Sequence, residues 1–139
     1  MAKVFQRSDL PRFASTRDTR DRLDVVTEHV PVGARALRAD RIVYSPGDTA
    51  APHYHVGCTH VFYVLRGSGI VRHGDRRERV AAGSVVVVDA GEVHWFENDT
   101  DEEFAFVEYW SPPPAETVWI HEGDVCTWRR APAAEAVNA

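Results

Sequence analysis

The chain has 139 residues, enough for one domain with a hydrophobic core and too few for two. A net charge of −5 and the lack of a basic run argue against nucleic acid as a partner. No apolar run could span a bilayer, the first residues lack the apolar segment of a secretory signal, and two cysteines are too few for a disulfide framework. We therefore expect a cytoplasmic protein that has no membrane partner.

The chain divides into three segments by residue composition and pattern. Residues 1–33 are polar and charged and carry no motif, so they are predicted to form an N-terminal arm, either a short helix or a surface segment. Across residues 34–128, short β-branched and aromatic runs alternate with Gly- and Pro-rich turns, which predicts an all-β domain, an antiparallel sandwich or barrel. Residues 129–139 are predicted to be a flexible tail.

The run FAFVEYW, residues 104–110, is predicted to be a strand. Its alternation places Glu108 on the same face as three aromatic residues, Phe104, Phe106 and Trp110. If that face lines the interior, the pKa of Glu108 should rise, and the residue becomes a candidate general base or acid. If it faces outward, Glu108 is a solvated or arginine-paired surface residue.

Four histidines in the middle of the chain have a spacing that suits a metal site: His53, His55, His60 and His94. Imidazole is the commonest protein ligand for divalent transition metals. His53 and His55 are two residues apart, so on a strand both point to the same face. The other two arrive on separate segments, as a cage built from several strands requires.

The residues around these histidines resemble the paired motifs of the cupin superfamily. The two blocks are Gly47-(x5)-His53-x-His55-(x4)-His60-(x6)-Gly67 and Gly83-(x5)-Asp89-x-Gly91-(x2)-His94-(x3)-Asn98. The resemblance implies an antiparallel β-barrel or jelly roll that holds a divalent metal. It also implies that His53, His55 and His94 are ligands.

Two positions depart from the cupin pattern. Asp89 stands where the second motif usually has proline, and His60 stands where the first usually has a glutamate ligand. Four neutral imidazoles would leave the full charge of a divalent metal, which favours an anionic ligand. Zinc is the expected metal, with iron, nickel and manganese as alternatives.

A second resemblance, to the small cupin cyclases of aromatic polyketide pathways, lies in the segments GEVHWFEND, FVEYWSPPP and ETVW. It implies aldol cyclisation and dehydration of a poly-β-ketone, with the metal as Lewis acid. Glu108, a metal-bound hydroxide or a histidine released from the metal is the candidate base. Tyr63 and Trp95 lie beside the ligand segments and are further catalytic candidates, although core packing is the favoured interpretation of each. The aromatic residues suggest a small hydrophobic or aromatic substrate.

Three other functions stay open on the sequence. The main alternative is a metal-dependent dioxygenase that acts on an enolisable substrate such as a β-diketone or flavonol. An isomerase or lyase and a non-catalytic ligand binder are the others. The arginines near the motifs, Arg41, Arg66 and Arg72, are interpreted as surface residues. The protein is expected to be a monomer or a homodimer.

Overall fold

A computed structural model describes residues 2, 4–26, 37–114 and 116–135. Within these ranges almost all regular structure is β-strand, with two short 3₁₀ turns at Arg7–Asp9 and Glu122–Asp124. None of the described residues forms a helix long and apolar enough to cross a membrane. The strands are β1 Arg12–Ser15, β2 Asp21–Val26, β3 Arg38–Tyr44, β4 His53–His55, β5 Thr59–Arg66, β6 Ser68–His73, β7 Arg76–Ala81, β8 Val85–Val88, β9 His94–Glu97, β10 Phe104–Ser111, β11 Thr117–Trp119 and β12 Trp128–Arg130.

The strands form two antiparallel sheets that enclose the core between them. The larger has the order β12-β1-β2-β3-β10-β5-β8, and the smaller has the order β11-β4-β9-β6-β7. This architecture confirms the predicted all-β antiparallel class and is that of a jelly roll. Residues from both sheets line one internal cavity of about 250 Å³.

The larger sheet reaches into the segment predicted to be an N-terminal arm. β2 pairs with β3 over most of its length, and β1 lies between β2 and β12. β12 in turn includes Arg129 and Arg130, which fall in the segment predicted to be a flexible tail. These strands are short and highly charged, so their sequences carry little β signal. They form because they pair with neighbouring strands of the sheet. Residues 27–33 and 136–139 of those two segments lie outside the described residues.

Alternation along the strands decides which residues reach the interior. On β5, His60, Phe62 and Val64 are buried, whereas the intervening Tyr63 and Leu65 are 44% and 45% exposed. The buried apolar residues form one cluster between the sheets: Ile42, Tyr44, Ala50, Phe62, Val64, Val71, Val80, Val88, Phe96, Phe104 and Phe106. On β10 the same rule turns Phe106, Glu108 and Trp110 toward the cavity, which answers the question that the sequence left open for Glu108.

The outer face of β5 and β8 carries an exposed apolar strip. Val85 and Val87 are 60% and 57% exposed and pair in register with Tyr63 and Val61. Such a strip at a sheet edge suits association. The exposed strip is consistent with a homodimer, and the expectation of a monomer or a homodimer stays a prediction.

The closing glycine of the first motif has a steric reason. Gly67 has a φ of 71°, and a Cβ added there would overlap the backbone carbonyl oxygen of Glu103. Gly74 also has a positive φ, 55°, but a Cβ there would have no atom within 4 Å.

We predict that Gly67→Ala lowers the melting temperature far more than Gly74→Ala. Both changes incur the cost of a left-handed alanine, roughly 1–2 kcal/mol, but only the first forces two backbone segments apart. Thermal unfolding followed by circular dichroism measures the difference. Equal losses for the two variants would contradict the steric explanation.

Candidate metal centre

Three of the four predicted histidines converge in the smaller sheet. His53 and His55 lie on β4, and His94 lies on β9 directly opposite His53 in the antiparallel register. One ring nitrogen from each of the three lies within 4.8 Å of the other two. The i and i+2 spacing and the cross-strand pairing therefore bring three imidazoles to one point.

Backbone carbonyls hold two of these rings. The Nδ1 of His53 lies 2.7 Å from the carbonyl oxygen of Ala51, and the Nδ1 of His94 lies 2.9 Å from that of Glu92. A carbonyl oxygen only accepts, so Nδ1 carries the proton in both rings. The Nε2 lone pair of each ring is thereby left for a metal.

His55 is oriented by a side chain on a neighbouring strand. Its Nδ1 lies 3.0 Å from the Oγ1 of Thr117, the residue opposite it on β11. Trp119, on the same strand, stands 4.9 Å from the ring of His53. Sequence reasoning missed Thr117, because a threonine 62 residues away carries no signal until the strands pair.

His60 approaches the cluster from the opposite sheet. Its ring centroid is 5.0 Å from that of His55 and 5.5 Å from that of His94. Its Nε2 donates to the Oε2 of Glu108 at 3.0 Å, so its Nδ1 holds the lone pair. His60 lies outside the closest three-histidine group but presents a free nitrogen beside it.

The free nitrogens are the observation that fits a metal. The Nε2 atoms of His55 and His94 and the Nδ1 of His60 are buried and have no hydrogen-bond partner among the described residues. A buried polar atom left unpaired costs about 1–3 kcal/mol, so three in one place need a common partner. A divalent transition metal is the partner that neutral imidazoles suit.

Burial keeps these imidazoles neutral in the metal-free protein. It lowers the pKa of His53, His55, His60 and His94 to about 3, and repulsion between neighbouring rings adds to the effect for three of them. Metal ligation requires the neutral form, so the ligands are ready to bind at any pH near neutrality.

Behind His60 lies a row of buried carboxyl groups. Glu108 on β10 pairs with Asp40 on β3, which pairs with Asp24 on β2. Asp40 is fully buried, and its pKa is raised well above the usual range, first by burial and then by the charge of Glu108. Burial also raises the pKa of Glu108. Both carboxyl groups therefore hold a proton more readily than they would in water.

The opposite wall of the cavity is cationic, a feature that sequence reasoning missed. Arg20, Arg22 and Arg38 line it, together with aromatic residues. The interpretation of Arg41, Arg66 and Arg72 as the arginines nearest the site was therefore incomplete. Arg20 and Arg22 lie in or beside a strand of the segment that was predicted to be an arm, and Arg38 begins the first strand of the predicted β domain.

Two of the predicted catalytic residues do not reach the cavity. Tyr63 lies on the outer face of β5 because its neighbours His60 and Phe62 point inward. Trp95 lies between two inward residues of β9, and its Nε1 donates to Glu97 at 3.2 Å. Neither is among the residues that line the cavity, and a catalytic role for them stays a prediction.

A match to a family model agrees with this geometry. Residues 40–110, half of the chain, match the cupin domain. The chain belongs to the cupin family. The shared segment runs from β3 to β10 and contains all four histidines.

Similar proteins include both enzymes and a binding protein. The chain is 35% identical over 69 residues to the oxalate-binding protein of Thermotoga maritima, an alignment that covers 48% of this chain and 57% of that protein. The chain thus spans little more than half the length of this curated relative.

Solved structures share the fold at lower identity. The polyketide cyclase RemF from Streptomyces resistomycificus superposes with a TM-score of 0.72 at 22% identity, over 87% of each chain. A predicted oxalate decarboxylase from Thermotoga maritima superposes with a TM-score of 0.67 at 22% identity, over 78% of this chain and 98% of that one. These likenesses establish the fold.

We predict that His94→Ala and His60→Ala reduce bound metal strongly, because each removes one buried lone pair from the cluster. His121→Ala, an exposed histidine outside the cluster, is the matched control and should retain wild-type metal content. Elemental analysis of protein purified without chelator or metal-affinity resin measures the difference. Full metal retention by both cluster variants would remove the proposed cage.

We also predict that the metal-free protein loses stability as the pH falls below about 6.5. In that range the unfolded histidines, with pKa values near 6.5, bind protons, whereas the folded ones, with pKa values of about 3, do not. The free energy of unfolding therefore falls from pH 6.5 toward pH 3, and these groups leave it unchanged above about pH 7.5.

Urea midpoints between pH 8 and pH 4.5 test this dependence. His94→Gln should flatten the slope because one suppressed protonation is removed, whereas His121→Gln should leave it unchanged. A pH-independent midpoint for the metal-free wild type would show that the four imidazoles titrate normally.

Proposed function

We propose that this cupin is a metal-dependent enzyme that cyclises a poly-β-ketone by intramolecular aldol condensation and dehydration. The observation that carries the proposal is the position of Glu108. It is a buried carboxylate that lines the same cavity as the four histidines and touches one of them. A metal held by the histidines would act as the Lewis acid and Glu108 would act as the base, and both would adjoin the same cavity, as an aldol reaction requires.

The donor set defines what a metal would contribute. His53, His55 and His94, with His60 beside them, would hold a divalent ion, which supplies Lewis acidity toward a ketone oxygen. Such an ion, held by these four residues, would polarise a 1,3-dicarbonyl group placed against it in the cavity.

Glu108 takes the proton in this proposal. Its carboxylate accepts one from the methylene group between two ketones, and the resulting carbanion attacks a second ketone of the same molecule to form the carbon–carbon bond. The alkoxide formed recovers a proton from Glu108, and water is then lost. Burial raises the pKa of Glu108, which suits a group that must take a proton, whereas the contact with His60 and the charges of Arg22 and Arg38 favour its ionised form.

Aromatic rings would fold the substrate. Phe62, Phe96, Phe106, Trp110 and Trp119 line the cavity around the histidines. Flat apolar walls favour compact conformers of a flexible polyketone, so that reacting carbons approach each other. This lining supports the expectation of a hydrophobic or aromatic ligand around the reacting centre.

The second candidate is a metal-dependent dioxygenase that acts on an enolisable β-diketone or flavonol-like compound. The all-nitrogen donor set is compatible with it, since imidazole is a ligand for iron as well as for zinc. Elemental analysis separates the two. About one zinc per chain supports the cyclase, and about one iron per chain, with oxygen uptake on enolisable substrates, supports the dioxygenase.

We predict that Glu108→Gln slows cyclisation of a poly-β-ketone by roughly 10²–10⁴-fold, the usual contribution of a general base. Bound metal should change little, because glutamine can still accept the hydrogen bond from His60. Single-turnover rates and elemental analysis measure the two effects. Glu103→Gln, an exposed carboxylate paired with Arg66, is the control. A wild-type rate for Glu108→Gln would reduce Glu108 to a structural role.

A further inference from the structure

Arg38 differs from the other two arginines of the cavity. Arg20 is ion-paired with Asp18 at 2.9 Å, and Arg22 is ion-paired with Asp24 at 2.9 Å. Arg38 also lines the cavity, but it has no ion-pair partner among the residues that the structure describes. Its Nε is buried and lacks a hydrogen-bond acceptor there. Arg38 as a whole is half-buried, but a buried Nε–H without an acceptor is costly unless a ligand supplies one.

A second donor without an acceptor lies beside it. The Nε1 of Trp110 is buried, and no described residue accepts its hydrogen. The guanidinium carbon of Arg38 lies 5.5 Å from the centroid of the Trp110 ring, and the two residues are paired across β3 and β10. Two unsatisfied donors, one of them charged, thus adjoin the same cavity.

The two donors stand at a fixed position relative to the histidines. Trp110 stacks on His60, with ring centroids 4.4 Å apart and an interplanar angle of 24°. Arg38, Trp110 and His60 occupy one row across β3, β10 and β5. The Arg38 and His60 backbones are therefore two strand spacings apart, roughly 10 Å.

The buried carboxyl groups near Arg38 are paired with other residues. Asp24 is engaged by Arg22, and Asp40 lies against Glu108 rather than against Arg38. Glu108 forms its salt bridge with His60 and none with Arg38, although attraction to Arg38 opposes the rise in the pKa of Glu108. Among the residues that the structure describes, Arg38 is therefore the cavity arginine without an ion-pair partner.

We propose that Arg38 and Trp110 form a carboxylate-binding subsite, so that the ligand of this cupin is an anionic compound held at both ends. Its chelating oxygens lie at the histidine cluster, and its carboxylate accepts hydrogen bonds from the guanidinium and the indole N–H. One aromatic ring with a short side chain, or two fused rings, spans the roughly 10 Å between the two ends. This inference rests on the proposed function only in taking the histidine cluster as a chelation site.

A matched pair of ligands tests the subsite on the metal-loaded, full-length protein. The probes are 3-(3,4-dihydroxyphenyl)propanoate and its primary amide, which share a metal-chelating catechol and differ in the charge at the far end. Isothermal titration calorimetry gives both affinities. We expect the wild type to bind the acid about tenfold more tightly than the amide, as a charge-assisted hydrogen bond provides.

Variants then assign the preference to residues. Arg38→Gln should bring the affinity for the acid to that for the amide and leave amide binding within about twofold. Trp110→Phe keeps the stacked ring and should reduce the preference for the acid by a smaller factor. Arg66→Gln, an arginine that is 60% exposed and paired with Glu103, should keep the full preference.

The wild-type comparison needs no variant and so does not depend on variant folding. Equal affinity of the wild type for acid and amide would overturn the carboxylate subsite while leaving chelation at the histidines, and the proposed cyclase, intact. Failure of the metal-loaded protein to bind either catechol would instead count against chelation, and with it against both proposals.

Discussion

The contact between His60 and Glu108 is the interaction on which the site depends. The contact lies within the larger sheet, between β5 and β10, and it orients His60 toward the three histidines of the smaller sheet. The carboxylate fixes the proton on Nε2 and turns the Nδ1 lone pair toward the cluster. It also places a negative charge directly behind a ligand, which partly offsets the full charge that four neutral imidazoles would leave on a divalent metal.

This arrangement places a glutamate carboxylate beside the histidine cluster, although at a different position from the usual cupin pattern. A cupin motif ordinarily has a glutamate where this chain has His60, and here a glutamate contacts that histidine from the adjacent strand. The carboxylate of Glu108 contacts His60 instead of belonging to the histidine cluster. It lines the cavity, where it can act as a base. The carboxyl of Asp40 behind it is fully buried, and its pKa is raised first by burial and then by the charge of Glu108.

The cavity combines three kinds of wall. Imidazoles cover one side, and aromatic rings cover much of the remainder. The arginines come from β2, from β3 and from the residue that precedes β2. An entirely apolar ligand would leave Arg38 and the indole N–H of Trp110 without acceptors. The proposed carboxylate subsite would give these buried donors partners, so the ligand that we propose has an aromatic body and an anionic end.

Local patterns in the sequence determined the strands of the cupin core, the four histidines and the inward face of β10, because alternation and motif spacing are properties of adjacent residues. They did not determine which charged strands join the sheet. β1 and β2 have no apolar alternation of their own, so the charged wall with Arg20 and Arg22 arises only when they pair with β12 and β3. The roles of Thr117, Asp40 and Arg38, and the outward positions of Tyr63 and Trp95, were likewise decided by long-range pairing, since hydrogen-bond partners in a jelly roll lie many residues apart in the chain.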